Sequence, residues 1–232
     1  MDEAALIQVE HGDVISDRPK RTVRALLEHA SVDVTWSRYE PGERGPDPHI
    51  HHRHVDAFYV VEGELHFGVG QQVEAVTAHA GTFVLVPREI VHTFANESDA
   101  TARWLNFHAP STGFIAALKG GPPFDSEDAP AQGGGRRDDA VVATGEGILC
   151  SSDDLHLAVL DIPPGLESMP HRNPDTVDGY LLLAGMLELT LGRRREQAGP
   201  GSWLSAPPGA EHGFRNGGDR NARLLHVRAP AA

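Results

Sequence analysis

A pattern that recurs once, displaced by 120 residues, constrains this chain more than any other feature. Gly81, Pro87, His92 and Asn96 reappear as Gly201, Pro207, His212 and Asn216, with identical spacing in both copies. An upstream block recurs at a displacement of 122, where His49, Asp56 and Gly63 correspond to His171, Asp178 and Gly185. The first copy therefore carries two extra residues, which fall in the turn over 68–76, opposite 192–197. A 232-residue chain that repeats itself in this way folds as two related units, each large enough for its own core. The repeat sets one unit over 1–110 and another over 141–232. Residues 111–140 read as a linker, rich in Gly, Pro and charge, which opens with a short helix over 113–119.

Within the units, short β-rich runs predict strands over 32–39, 57–61, 65–69, 82–86, 93–96 and 103–107. The second unit repeats them over 155–162, 179–183, 187–191, 202–206 and 224–227. No long amphipathic helix competes, and 25 Gly with 17 Pro supply turns, so the fold class is all-β, one barrel or sandwich per half.

The chemistry concentrates in His49-Ile50-His51-His52-Arg53-His54-Val55-Asp56. His49 and His51 stand two apart, so on an extended strand both imidazoles leave one face, while His52 points away. Asp56 rejoins that face only if a turn intervenes, and His92 arrives from a separate strand. Three neutral nitrogens and one carboxylate oxygen suit a divalent transition metal, Fe, Mn, Ni, Cu, Co or Zn, without selecting among them. A histidine-rich tract alone is often a solvated loop, and the downstream block at fixed spacing gives it meaning. Phe58, Val60 and Phe94 share parity with the ligands on their strands and are predicted to shape an apolar pocket.

The two blocks resemble the two motifs of the cupin superfamily, HxH with a following acid and Gly, then GxxxxxPxGxxHxxxN. The resemblance implies two tandem cupin domains of the jelly-roll β-barrel type, a bicupin, with metal inside a barrel on His49, His51, Asp56 and His92. Asp56 stands where the family has Glu, and Glu89 where the second motif has Gly, which Gly209 supplies in the other copy. The second half reads His171, Asn173, Asp178 and His212, a degenerate second site whose amide is a weak ligand.

The wording around His49 to Val69 resembles quercetin 2,3-dioxygenase-like bacterial cupins. It implies an oxidoreductase that takes a small aromatic or enol substrate with O2, Asp56 serving as the catalytic base. The alternatives are a non-redox isomerase, cyclase or decarboxylase that uses the ion as a Lewis acid, and a small-molecule-binding cupin without turnover. With 20 Lys and Arg against 33 Asp and Glu, the net charge of −13 disfavours nucleic acid and anionic membrane as partners. No apolar run approaches the about 20 residues of a membrane span, and the acidic N-terminus is unlike a signal peptide, so a cytoplasmic protein is expected, monomeric or homodimeric. The single Cys150 precludes an intrachain disulfide and a thiolate cluster, and reads as a small apolar residue.

Overall fold

The computed structural model describes residues 3–129 and 134–231. Nearly every element is a strand, and the strands form two compact units, each of two sheets paired antiparallel throughout. The first unit spans 13–144. Its seven-stranded sheet runs Val141–Thr144, Thr82–Val86, Val55–Glu62, Ala102–Ala109, Val32–Tyr39, Arg21–His29, Asp13–Arg18. Its five-stranded sheet runs Glu127–Asp128, His49–Ile50, His92–Ala95, Glu64–Val69, Glu74–His79. Apolar side chains from both sheets, including Phe58, Leu65, Phe67, Val84 and Trp104, fill the space between them. Two facing antiparallel sheets around one core are the jelly-roll arrangement that the resemblance to cupins implies.

The second unit, residues 1–12 with 145–232, repeats this plan with sheets of six and four strands. Its core gathers Tyr180, Leu182, Leu189, Leu204, Phe214 and Leu224. Cys150 is buried near the end of strand Gly147–Ser151, and burial raises its thiol pKa, consistent with a packing role. The compact units are not cut where the repeat divides the sequence. The outermost strand of the first unit, Val141–Thr144, follows the linker, and that of the second, Ala5–Gln8, comes from the N-terminal arm. Each covers an otherwise open sheet edge, beside Thr82–Val86 and Ser202–Ala206 respectively.

The repeated Gly and Asn have structural reasons. Gly63 and Gly185 adopt φ of 72° and 79°, and a Cβ at either would collide with backbone at the entry to a strand, Thr101 before Ala102–Ala109 and Ala222 at the start of Ala222–Pro230. Asn96 and Asn216 are fully buried. Each donates to two backbone carbonyls, Tyr39 and Ala100 in one unit, Ile162 and Arg220 in the other. These residues pin loops, which explains their recurrence without a catalytic role. Where the second copy has Gly209 at φ 80°, the first holds Glu89 at φ 66°, so the motif's glycine conformation survives without the glycine.

Candidate metal centre

Both sheets of the first unit contribute to one buried cluster. His49 and His92 sit directly opposite each other on neighbouring strands of the smaller sheet, their rings 4.3 Å apart. His51 follows where the chain leaves that sheet, and bends at 52–54 carry it across to the larger sheet, where Asp56 is the second residue of Val55–Glu62. This is the turn that the five-residue interval requires. The four side chains are each at most 5% exposed, and their ligand atoms lie within 4.8 Å of one another. His52 points outward, between Glu89 and Glu127.

The histidine tautomers are set by backbone carbonyls. Nδ1–H donates to the Asp47 oxygen in His49 (3.0 Å), to Asp125 in His51 (2.6 Å) and to Ile90 in His92 (3.1 Å). Each Nε2 therefore presents a lone pair. His51 Nε2 is buried without a hydrogen-bond partner, and His92 Nε2 lies 3.1 Å from Asp56 Oδ2, acceptor against acceptor. Such a contact calls for a proton on Nε2 or a metal ion shared by the two atoms. Burial first, then the neighbouring His92 and His51, lower His49 to about 3, so it stays neutral as a metal ligand must. Burial alone would raise Asp56, but His108, His51 and His92 hold its carboxyl well below the usual range. The cluster is able to bind a metal, and its mixed nitrogen and oxygen donors suit a divalent transition ion.

The structure adds residues that the motif did not indicate. Asn106 donates to Asp56 Oδ1 at 2.5 Å, and His108 Nε2 lies 3.3 Å from the same oxygen. They occupy Oδ1 and leave Oδ2 facing the histidines, which fixes the shorter carboxylate. Asp125, from the linker, receives the backbone N–H of His52 and Arg53 on its side chain while its carbonyl holds His51. His54, fully buried, packs its ring 4.1 Å from His51 and contacts Thr112. A trace of Asn106 and His108 exists in the sequence: His226 and Arg228 occupy the equivalent positions 120 residues on, polar residues alternating within an apolar strand.

A cavity of about 510 Å³ opens over the cluster, reaching His49, His51 and Asp56. Phe94 lines it. Phe58 and Val60 do not. Both are fully buried in the core, where Phe58 packs edge-on against Phe67 (4.9 Å) and Phe94 (5.2 Å). Strand alternation gives the face of a residue but not its depth, and these two lie beneath the layer that Phe94 forms. Phe114 and Phe124 on the same wall come from the segment between the repeats, where helix Phe114–Leu118 is flanked by Gly113 and Lys119.

The corresponding place in the second unit is arranged differently. His171 and His212 again face each other, rings 4.5 Å apart, with Nδ1 on backbone carbonyls. Asp178, however, accepts from Asn173 (2.6 Å) and Thr176 (3.1 Å) on one oxygen, and from His226 (2.8 Å) and Arg228 (3.2 Å) on the other. These four donors saturate a carboxylate. Arg228 supplies the positive charge that an ion would otherwise bring. Among the described residues, the cluster of the first unit is the one group of three or more His, Cys, Asp or Glu placed to hold a metal.

Burial would raise the Asp178 carboxyl, yet the hydrogen bonds of His226 and Asn173 and the positive charge nearby hold it below its ordinary value. A carboxyl lowered by folding stabilises the fold above its unfolded pKa of about 4, and that contribution disappears as pH falls through the folded value. Asp178→Asn is therefore expected to cost about 2 to 3 kcal/mol at pH 7, a difference from the parent that narrows below about pH 4, with metal content unchanged. Urea unfolding at pH 7 and pH 3, beside elemental analysis, checks this.

The sequence matches the cupin domain family over residues 35–108 and 158–228. A germin-like protein of Arabidopsis thaliana (subfamily 2 member 2) is 33% identical over 97 residues, which are 39% of this chain and 44% of that protein. This chain thus spans less than half the length of the curated relative it matches. Among solved structures, the protein Ylba of E. coli superposes with a TM-score of 0.74 at 10% identity, covering 98% of this chain and 91% of that one. AerE of Microcystis aeruginosa gives 0.66 at 15% identity, covering 91% and 93%. Oxalate decarboxylase of Bacillus subtilis gives 0.60 at 12%, covering 96% and 75%. These likenesses concern the fold. No helix among the described residues is long and apolar enough to cross a membrane.

Proposed function

The chain belongs to the cupin family, with a cupin domain in each half, and from that premise we propose a metal-dependent oxidoreductase of the dioxygenase type, acting in the first unit on a small aromatic or enol substrate. The observation that carries this reading is the position of the His49, His51, Asp56 and His92 cluster at the floor of a cavity walled by Phe94, Phe114 and Phe124. A ring fits between such walls, and the resemblance to quercetin 2,3-dioxygenase-like cupins points the same way.

In this reading His49, His51 and His92 would hold the ion, with Asp56 beside them. When bound, a redox-active ion would supply both charge for an enolate oxygen and electrons for O2. The chain's own residues do the rest. Asp56, kept ionised at neutral pH, takes the proton of the substrate hydroxyl. Asn106 and His108 hold the carboxylate in place through Oδ1. Phe94, Phe114 and Phe124 orient the ring and exclude water.

The test is oxygen consumption. Protein reconstituted separately with Fe, Mn, Ni, Cu, Co and Zn is offered flavonol-like and enol substrates in an oxygen electrode. Uptake with at least one redox-active ion and none with Zn is the expected outcome. Turnover with Zn and no uptake with any ion would contradict the dioxygenase and assign the site to isomerisation, cyclisation or decarboxylation.

A further inference from the structure

One wall of the same cavity carries a cation for which the proton chemistry above has no use. Arg21, at the start of strand Arg21–His29, has a side chain only 19% exposed. Its Nη1 donates to the Tyr39 hydroxyl at 3.4 Å, its Nε stands 3.8 Å from Glu43 Oε1, and that Nε is buried without a hydrogen-bond partner. A guanidinium offers five N–H groups and does not lose its charge, so this one has donors to spare, the buried Nε among them. Arg18 and Arg44 stand on the cavity wall with it, exposed, and Glu43 and Asp47 offset part of their charge.

From this arrangement we infer that the cavity binds a small organic carboxylate with a ring or comparable apolar body, its carboxylate paired with Arg21 and its body lying against Phe94, Phe114 and Phe124. A planar monoanion fits better than a phosphate dianion, because Glu43 beside Arg21 leaves the wall only modestly positive, while the guanidinium fork matches two carboxylate oxygens. Burial raises the pKa of the Tyr39 hydroxyl, which stays protonated and adds a donor beside the guanidinium. The end of the ligand remote from its carboxylate then faces His49, His51 and Asp56, and only this last orientation rests on the proposed metal function.

Calorimetric titration tests the inference with benzoate, phenylacetate and 3-phenylpropanoate, each beside its neutral amide, on parent protein and on Arg21→Met and Arg21→Lys. At least one acid is expected to bind the parent about tenfold or more tighter than its amide. Arg21→Met removes that preference, and Arg21→Lys retains part of it, since the charge remains but the fork is lost. Equal binding of acid and amide by the parent, which requires no variant, overturns the inference, as does a preference undiminished in a folded Arg21→Met. Metal content measured on the same samples separates the two readings. Acid preference in protein that takes up no ion would sink the metal function and uphold the carboxylate site. Bound metal without acid preference would do the reverse.

Discussion

His92→Ala is expected to lose the bound ion and to lower turnover by about a thousandfold or more, with the fold retained. His92 is 1% exposed and faces His49 across the smaller sheet, its Nδ1 on the Ile90 carbonyl and its Nε2 toward Asp56. Without it the cluster keeps two imidazoles and a carboxylate, and Asp56 loses one of the groups that hold it ionised. Loss of an ion that stabilises developing charge costs several kcal/mol in the transition state, and about 4 kcal/mol corresponds to three decades in rate. His212→Ala, at the equivalent position of the second unit, is the control. It should leave ion content and turnover as they are, because Asp178 there is already saturated by protein donors. Equilibrium dialysis with a divalent ion, followed by oxygen uptake, measures both. A His92→Ala protein that retains its ion would contradict the assignment.

The second large effect is on stability. An ion that binds the folded cluster and not the unfolded chain stabilises the first unit by mass action, about 4 kcal/mol when its free concentration is a thousand times the dissociation constant. For a unit of the size of 13–144 this corresponds to a rise in midpoint of roughly 10 to 20 °C. Chelator should reverse it, and His92→Ala should show almost none of it. Differential scanning calorimetry with and without ion makes the comparison. A midpoint that moves equally in parent and variant would place the binding elsewhere.

How far the sequence carries this account differs between elements. The repeat at 120 residues makes the two cupin domains and their β-rich fold legible, because glycines forced to positive φ and buried loop-pinning asparagines must recur wherever the same turns recur. The cluster is legible for a related reason: the HxH spacing places two imidazoles together, and the second block supplies the strand opposite. Depth within the barrel is not legible, since alternation assigned Phe58 and Val60 the same face as Asp56 and said nothing of the Phe94 layer above them. Residues that act through Asp56 also escaped. His108 belongs to neither repeated block, and only the register of Ala102–Ala109 against Val55–Glu62 brings it to the carboxylate. The segment between the repeats has no counterpart to compare, so the contributions of Asp125, Phe114 and Phe124 depend on tertiary packing that composition does not encode. The same holds for Val141–Thr144 and Ala5–Gln8, short strands that complete sheet edges distant in sequence.

The central claim, one metal centre in a chain of two related units, is tested most directly by elemental analysis of the untagged parent protein, reconstituted with a divalent transition metal and freed of excess by gel filtration. The account predicts about one ion per chain, reduced to near zero in His92→Ala and unchanged in His212→Ala. No retained ion after reconstitution, or an ion lost with His212 and kept without His92, would contradict it.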